Sequence, residues 1–216
     1  MVDSILLVHV LFGVIALLSA FIAAINKKGS LVHRRIGRIF FWSMLGVAVT
    51  AIPVTFINPN PFLFFIAIFS FYMAFVGYRI GKPRYQPTKL DQLAPYLMLV
   101  SVFAMYGYGA MMISSADALG WALIAFGTIG LVNAIEDLRE LNRNSPHKRK
   151  IEVHLSRMLG GTIATITAVL VQQVSPLVDS ELAQLVIWLA PTVLITPLIV
   201  LWTIRVRLTG RYRLFA

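Results

Sequence analysis

The stretch SILLVHVLFGVIALLSAFIAAI, residues 4–25, decides the fold of this chain. It contains no Asp, Glu, Lys or Arg, and it is long enough to cross about 30 Å of hydrocarbon as a helix, which takes about 20 apolar residues. Asp3 precedes the stretch and Lys27 and Lys28 follow it, whereas a secretory leader has its positive charges before the apolar segment. We therefore expect a permanent membrane anchor whose N-terminus lies outside.

Six further stretches share these properties, and the composition agrees with them. The chain is 58% hydrophobic and 13% charged, with a mean hydropathy of +0.80, whereas soluble domains carry about 25% charged residues. The sequence therefore predicts an all-α, polytopic integral membrane protein with seven transmembrane helices in a single transmembrane domain, residues 1–216. The predicted spans are 4–25, 39–57, 62–78, 92–116, 118–135, 158–178 and 182–204.

The positive charges set the expected orientation of these spans. All 19 Lys and Arg residues fall in four patches, residues 27–38, 79–89, 139–157 and 205–213. Alternate threading of seven spans places the four patches on one side, and basic loops remain cytoplasmic. With loops this short, we expect a multi-pass protein of the bacterial inner membrane, with a periplasmic N-terminus and a cytoplasmic C-terminus.

The net charge of +10 is therefore interpreted as an orientation signal. Nucleic-acid binding is not expected, because the basic residues are divided among loops and do not form one face. Membrane lipid is the expected partner, while a homo-oligomer or a membrane partner subunit stays open. The absence of cysteine excludes disulfides, thiolate ligands and iron–sulfur clusters. Anionic lipid at the cytoplasmic face would be attracted by Arg205, Arg207, Arg211 and Arg213.

The two halves of the chain resemble each other. Residues 12–52 align without a gap with residues 126–166, pairing Gly13 with Gly127 and His33 with His147. Both copies run from outside to inside and back, which predicts a parallel 3+1+3 repeat. The first three-helix repeat would cover residues 1–90, a connector helix 91–117, and the second repeat 118–216. The alternative is that two basic loops between apolar helices look alike because membrane insertion requires it.

A motif at the front of the chain combines a histidine in the first span, a Lys-Gly pair, and a histidine–arginine run that opens the second helix. These residues are His9, Gly13, Ala16, Leu17, Lys28, Gly29, His33, Arg34, Arg35, Ile36, Gly37, Arg38 and Met44. The motif resembles an uncharacterised family of bacterial polytopic membrane proteins with a first-helix His and a His-Arg-x-x-Gly-Arg start to helix two. The resemblance implies a membrane protein without an assigned activity.

The 3+1+3 arrangement also resembles the small sugar-transporting and PQ-loop permeases and the microbial rhodopsins, in topology only. The first and fifth spans contain no Pro-Gln pair, and the seventh contains no Lys that could hold retinal. The functional residues of those families therefore do not transfer to this chain.

Histidines are the first candidates for chemistry, since imidazole binds metals and titrates near neutral pH. His9 lies inside the first span, where it is a predicted substrate-binding residue; the alternative is a neutral histidine that hydrogen-bonds to a neighbouring helix. His33 and His154 stand at the cytoplasmic ends of helices two and six, about 20 Å away in depth. They form a predicted cofactor-binding pair, the two axial ligands that a b-type haem would need. The alternative is a structural role at the membrane interface. Neither a catalytic residue nor a metal-ion site is predicted.

Asn133, Tyr106 and Pro191 complete the predicted substrate-binding set. Asn133 is polar within the fifth span, and Tyr106 lies in a fourth span rich in Tyr and Met. Pro191 should interrupt the seventh helix and free a carbonyl, as in the discontinuous helices of many carriers. Ordinary helix packing is the alternative for each of these residues.

A cytoplasmic charge cluster is predicted from four further residues. Glu136 and Asp137 should face the same layer as Arg38 and Arg157, because buried charges pair to limit desolvation. The cluster would be either a cytoplasmic gate or a collar of ion pairs.

Three functions stay open. The first is a small carrier or channel-like protein for a small solute or ion, motivated by the repeat and the interrupted seventh helix. The second is a b-type haem or quinone-linked membrane redox protein, and the third is a non-catalytic accessory or assembly subunit. A hydrolytic enzyme is not expected, because no carboxylate lies inside the membrane to orient a base and no two histidines have the i, i+4 spacing of a zinc helix.

Overall fold

The computed structural model describes residues 2–141 and 150–209, which fold into helices without any strand. Seven of these helices are long and apolar enough to cross a membrane, so the predicted all-α fold with seven spanning helices is confirmed. His147, Arg211 and Arg213 lie outside the described residues. The helices are α1 (Val2–Ile25), α2 (Leu31–Ile57), α3 (Pro61–Ile80), α4 (Lys89–Ser114), α5 (Leu119–Leu141), α6 (Lys150–Val174) and α7 (Glu181–Thr209), with a 3₁₀ turn at Ser175–Leu177.

Six helices extend further at their basic ends than the predicted spans, α2 and α6 by the most. Helix α2 begins at Leu31 and not at residue 39, α6 begins at Lys150 and not at residue 158, and α7 continues to Thr209. Long cationic side chains can keep their charges at the level of the lipid headgroups while their stems cover apolar surface. A helix can therefore continue through such residues, and a charge does not mark its end.

Local signals explain where these helices start. The Ser30 side chain accepts a hydrogen bond of 3.1 Å from the His33 backbone and caps α2, and Gly29 precedes it at φ +76°, a conformation that favours glycine. At α4, the Asp91 carboxylate accepts a 2.7 Å bond from the Thr88 backbone. The same carboxylate pairs with Arg79 at the end of α3, so this ion pair fixes the α3–α4 connection.

The helices pack in the neighbour order α1, α2, α3, α4, α5, α7, α6, and α6 also contacts α1. Helix α3 additionally contacts α5 and α6. The main core lies where α3, α4 and α5 meet, around buried Phe69, Met105 and Phe126. A smaller core around Phe40 and Met44 joins α2 to α1 and α3. Helices α5 and α6 are not backbone neighbours within the described ranges.

The outer faces of the bundle are apolar. Leu194 on α7 is 71% exposed, and Leu7 on α1 and Phe103 on α4 are also exposed. Large exposed apolar faces on every side are typical of helices that contact lipid. The structure therefore indicates a multi-pass membrane protein.

The predicted three-helix repeat, with its boundaries at residues 90 and 117, stays a prediction. Helices α1 and α2 pack against each other, whereas α5 and α6, their counterparts in the second copy, do not. The two copies thus differ in their neighbours, although the order of the helices along the chain is the same.

Helices α4 and α5 approach each other closely at two glycines, Gly109 and Gly120. A Cβ atom added to Gly120 would lie 2.5 Å from the Gly109 carbonyl oxygen and 3.0 Å from the Ile113 backbone nitrogen. Small residues allow such close contact between helices in membranes. The crossing therefore depends on the absence of a side chain at Gly120.

Candidate functional site

A cavity of about 1130 Å³ lies between the helices and is lined by residues of α1, α2, α3, α5, α6 and α7. It is open at the bundle surface, where lining residues such as Val132 are exposed. Most of the lining side chains are apolar, among them Met44, Met73, Phe126 and Trp188. Part of the cavity lies between α5 and α6, which are not backbone neighbours. Along α6 the lining runs from Glu152 to Gln173, about 30 Å at the helical rise. The cavity is thus as long as the hydrocarbon layer is thick.

His9 lies in the wall of this cavity, near the end of the bundle that contains the N-terminus. Its Nδ1 is 3.1 Å from the Val47 carbonyl oxygen and 2.9 Å from the Thr50 hydroxyl. A carbonyl only accepts hydrogen bonds, so Nδ1 carries the proton and Nε2 has the lone pair. No described residue forms a hydrogen bond with Nε2, so that nitrogen is free to contact a molecule in the cavity.

Two threonines in the cavity wall have buried hydroxyls without a hydrogen-bond partner in the described part of the chain, Thr167 and Thr192. Thr167 is only 3% exposed. A threonine in a helix normally bonds the carbonyl three or four residues earlier. By the helical rise, Thr167 lies about 10 Å from the end of α6 and His9 about 10 Å from the start of α1. Thr192 lies deeper, about 16 Å from the start of α7, so these three groups form a polar layer about 6 Å thick at this end of the cavity.

A buried ion cluster lies at the opposite, basic end of the cavity. The Arg157 guanidinium donates hydrogen bonds of 2.8 Å to Asp137 and 3.0 Å to Glu136, and a third of 3.1 Å to the Asn133 carbonyl. The Arg157 side chain is 1% exposed. The structure thus brings together three of the four residues of the predicted charge cluster. The fourth, Arg38, is exposed on α2, outside this cluster.

Tyr72 belongs to the same cluster but was not among the predicted residues. Its hydroxyl donates a hydrogen bond to Asp137, so the cluster links α3, α5 and α6. Tyr72 lies in an aromatic-rich span without a distinguishing motif, so the sequence contained no signal for this contact.

A second ion pair at the basic end was also absent from the predictions. Arg207 on α7 donates to Glu152 on α6 at 2.7 Å, and both residues line the cavity. The carboxylates at this end are therefore neutralised by arginines that come from other helices.

The four predicted substrate-binding residues do not share one site. His9 and Asn133 line the cavity, and the Asn133 amide donates to the Met73 sulfur at 3.3 Å. Tyr106 is not in the lining, and its hydroxyl is 3.1 Å from the hydroxyl of Thr128. Pro191 is buried within α7 and is not part of the lining. The cavity therefore brings only the first two together.

His33 and His154, the predicted cofactor-binding pair, lie side by side at the basic end. Their ring centroids are 6.2 Å apart and their planes differ by 80°. Each Nδ1 faces a backbone carbonyl, that of Ala23 at 3.0 Å for His33 and that of Gly77 at 2.7 Å for His154. The cavity lining does not include either ring. The pair is thus a separate site where the ends of α1 and α3 meet the starts of α2 and α6.

Lysines surround this pair. The Lys28 ammonium donates to the carbonyls of Ala23 and Ala24, and burial lowers the pKa of Lys28 below its ordinary value. The Lys150 ammonium donates to the Lys82 carbonyl. The described residues contain no group of three or more His, Asp or Glu side chains that could hold a metal ion.

The cavity and the histidine pair are therefore the two arrangements from which a function can be argued. Comparison of the chain with protein-family models, with curated proteins and with solved structures finds no match.

Proposed function

We propose that the protein binds an amphipathic, largely apolar molecule inside the membrane, in the manner of a carrier or a quinone-binding subunit. The observation that supports this proposal is the cavity of about 1130 Å³, which has apolar walls and a polar layer. Ligand pockets of drug-sized molecules occupy about 300–1,000 Å³, so the volume suits a ligand with a long apolar body.

The character of the walls argues against a small ion or a hydrophilic solute. Such a solute would lose its hydration along a wall of Met, Phe and Val side chains without gaining hydrogen bonds. A lipid-like chain loses nothing there, because the wall is as apolar as the bilayer. The first function expected from the sequence is a carrier or channel for a small solute or ion. The walls of the cavity support an apolar ligand better than an ion.

The polar layer indicates the kind of head group. The hydroxyls of Thr167 and Thr192 are buried without a partner, and rotation about χ1 would turn each toward a ligand to which it could donate one hydrogen bond, while the Nε2 of His9 can accept one. These groups are neutral, whereas the charged residues at the opposite end are already paired with one another. A neutral head group that both accepts and donates, such as a quinol or an acyl ester beside a free hydroxyl, fits this layer, because its oxygens can accept from the threonines and its hydroxyl can donate to Nε2.

The orientation in the membrane is part of the same proposal. The end of the bundle that contains Lys28, Lys82 and Lys150 would be cytoplasmic, as the positive-inside rule requires. The polar layer at His9 would then lie in the periplasmic leaflet of a bacterial inner membrane.

A cavity-filling substitution tests the proposal. Gly13 lines the cavity, and a Cβ atom added there meets nothing within 4 Å. We expect Gly13→Phe to fill the cavity and weaken binding of a short-chain prenylated quinone by about tenfold or more, since overpacking costs about 1–3 kcal/mol. Quinone quenching of Trp188 fluorescence, in protein reconstituted into nanodiscs, measures the binding, because Trp188 is in the cavity wall.

Gly107→Phe is the matched control. Gly107 also has open space around it but is exposed on α4, outside the cavity lining, so this variant should bind like the unmodified protein. Trp188→Phe should abolish the saturable quenching. Equal binding by the two phenylalanine variants would refute the cavity as the site. A brominated fatty acid in place of the quinone distinguishes an acyl ligand from a quinone.

Thr167→Val should have two opposite effects. Removing a buried hydroxyl without a partner should raise the unfolding temperature of the ligand-free protein, because the hydroxyl has been desolvated without compensation. Ligand affinity should fall by about three- to tenfold, the value of one hydrogen bond. Thermal unfolding and quinone titration measure the two effects.

Thr162→Val serves as the control on the same helix. The Thr162 hydroxyl already donates to the Met158 carbonyl at 3.0 Å, and Thr162 is not in the cavity lining. Affinity should not change in this variant. If Thr167→Val stabilises the protein but leaves affinity unchanged, the hydroxyl is a packing defect and the proposed polar layer is wrong.

A further inference from the structure

Two lysines lie near each other at the basic end of the bundle, outside the cavity lining. Lys28 lies in the turn between α1 and α2, and Lys150 is the first residue of α6. Both act electrostatically on the ring of His154, so both ammonium groups lie close to this one side chain. The fold therefore brings together two positive charges that are far apart in the sequence.

Neither ammonium group forms an ion pair with a carboxylate of the described residues. Lys28 donates to the carbonyls of Ala23 and Ala24 in the last turn of α1, and Lys150 donates to the carbonyl of Lys82. Lysines often stabilise the carbonyl ends of helices in this way, but a carbonyl dipole does not neutralise a full charge. The positive charge of the two lysines is therefore held in place without a counter-ion.

The two histidines between the lysines do not supply the missing negative charge. The Nδ1 atoms of His33 and His154 each face a backbone carbonyl oxygen, which only accepts, so each Nδ1 carries a proton. An imidazole in this state is neutral or positive. A ligand that fits between these groups is therefore an anion and not a cation.

An unpaired hydrogen-bond donor lies beside Lys28. The Lys28 ammonium is 5.3 Å from the centre of the Trp202 ring on α7. The Trp202 Nε1–H is buried and has no hydrogen-bond partner in the part of the chain that the structure describes. An indole N–H only donates, and burying a donor without an acceptor costs stability. An acceptor oxygen bound next to Lys28 would satisfy this donor once the side chains that cover it turn aside.

The surroundings of Lys28 favour a lipid over a free anion. Ile25 and Leu31, on either side of Lys28 in the sequence, are 82% and 65% exposed. Lysines at the ends of apolar helices place their ammonium groups at the level of the lipid headgroups. A phospholipid can therefore use both features, with its phosphate at the lysines and its acyl chains along the exposed apolar side chains.

From these contacts we infer that Lys28, Lys150 and the Trp202 indole form a binding site for the headgroup of an anionic phospholipid. Its phosphate oxygens accept hydrogen bonds from the two ammonium groups and from the indole N–H. The site is a discrete one between α1, α6 and α7, unlike the general attraction of anionic lipid to the C-terminal arginines that the sequence predicts. The inference is independent of the proposed ligand of the cavity.

Lipid titration of the full chain tests the site. Native mass spectrometry of the delipidated protein in detergent counts bound phosphatidylglycerol, with zwitterionic phosphatidylcholine as the reference. We expect Lys28→Gln combined with Lys150→Gln to weaken phosphatidylglycerol binding by about thirtyfold, since each lysine near anionic lipid contributes about fivefold. Binding of phosphatidylcholine should not change.

Arg34→Gln combined with Arg35→Gln is the matched control. Both arginines are exposed near the start of α2, so this variant removes the same charge from the same end of the bundle and should weaken phosphatidylglycerol binding far less. Equal weakening by the lysine and arginine pairs would show a diffuse electrostatic attraction and would overturn the site.

Trp202→Phe tests the site without changing the charge. Loss of the indole N–H should weaken phosphatidylglycerol binding by about three- to tenfold, the value of one hydrogen bond. Circular dichroism checks that each variant folds, and Trp202→Phe still decides if the lysine variant does not. Inorganic phosphate is the competitor that identifies the source of the anion. Displacement of the lipid by an equal concentration of phosphate would show that the acyl chains contribute nothing and would overturn the lipid as the ligand.

Discussion

Replacing Arg157 by methionine should destabilise the protein by about 3–5 kcal/mol, the cost of removing one partner from a buried ion pair. The Asp137 side chain is 5% exposed, and without the guanidinium its remaining hydrogen-bond partner among the described residues would be the hydroxyl of Tyr72. Methionine fills a similar space without charge. The loss of stability therefore measures the effect of removing the charge and not the effect of leaving an empty space. Thermal or denaturant unfolding in detergent micelles measures this effect.

A double variant separates an unpaired charge from lost packing. Arg157→Met combined with Asp137→Asn leaves no unpaired buried charge at this position, so it should be clearly more stable than Arg157→Met alone. Arg38→Met is the matched control, since Arg38 is exposed on α2, and it should change stability by no more than about 0.5 kcal/mol. Equal stability of the two single variants would show that the buried cluster does not stabilise the bundle.

The seven spans could be predicted because each is a continuous apolar segment, and a segment such as 4–25 has no stable alternative to crossing the bilayer. The predicted spans of the second and sixth segments begin at residues 39 and 158, eight residues after α2 and α6 themselves begin, at Leu31 and Lys150. A span defined by the absence of charge ends at the first charged residue, whereas helices continue through lysines and arginines at the membrane surface.

The neighbours of each helix could not be predicted in the same way. Lipid tails are as apolar as leucine, so hydropathy contains no information on which faces pack together. The contact between Tyr72 and Asp137 joins residues 65 positions apart, and no motif announces it. The cavity depends on the gap between α5 and α6, which the 3+1+3 scheme, with its paired neighbours, did not suggest.

For the candidate site too, the sequence predicts how deep a residue lies in the membrane but not the direction in which its side chain points. Counting residues from the helix ends placed His33 and His154 at one level, and the structure adds that they are neighbours. Pro191 and Tyr106 were chosen for a backbone interruption and a side-chain type. Neither property determines which way a residue faces, and neither residue lines the cavity.

Adding a single methyl group where α4 and α5 cross should destabilise the protein, as removing the Arg157 charge from the ion cluster should. At Gly120, a methyl group would lie 2.5 Å from the Gly109 carbonyl oxygen, which cannot move unless the whole helix moves. We expect Gly120→Ala to destabilise the protein by about 1–3 kcal/mol or more, because overpacking against backbone forces the helices apart. Unfolding in detergent micelles measures the change.

The same substitution at Gly107 should have the opposite sign. A Cβ atom there meets nothing within 4 Å, and alanine is favoured over glycine inside a helix by about 0.5–1 kcal/mol. Gly120 is the second residue of α5, where alanine gains less over glycine than inside a helix. A loss of stability in Gly120→Ala therefore reports the contact with the Gly109 carbonyl, and Gly107→Ala shows the effect of a methyl group without such a contact. If both alanine variants stabilise the protein equally, α4 and α5 do not cross as closely as the structure has them.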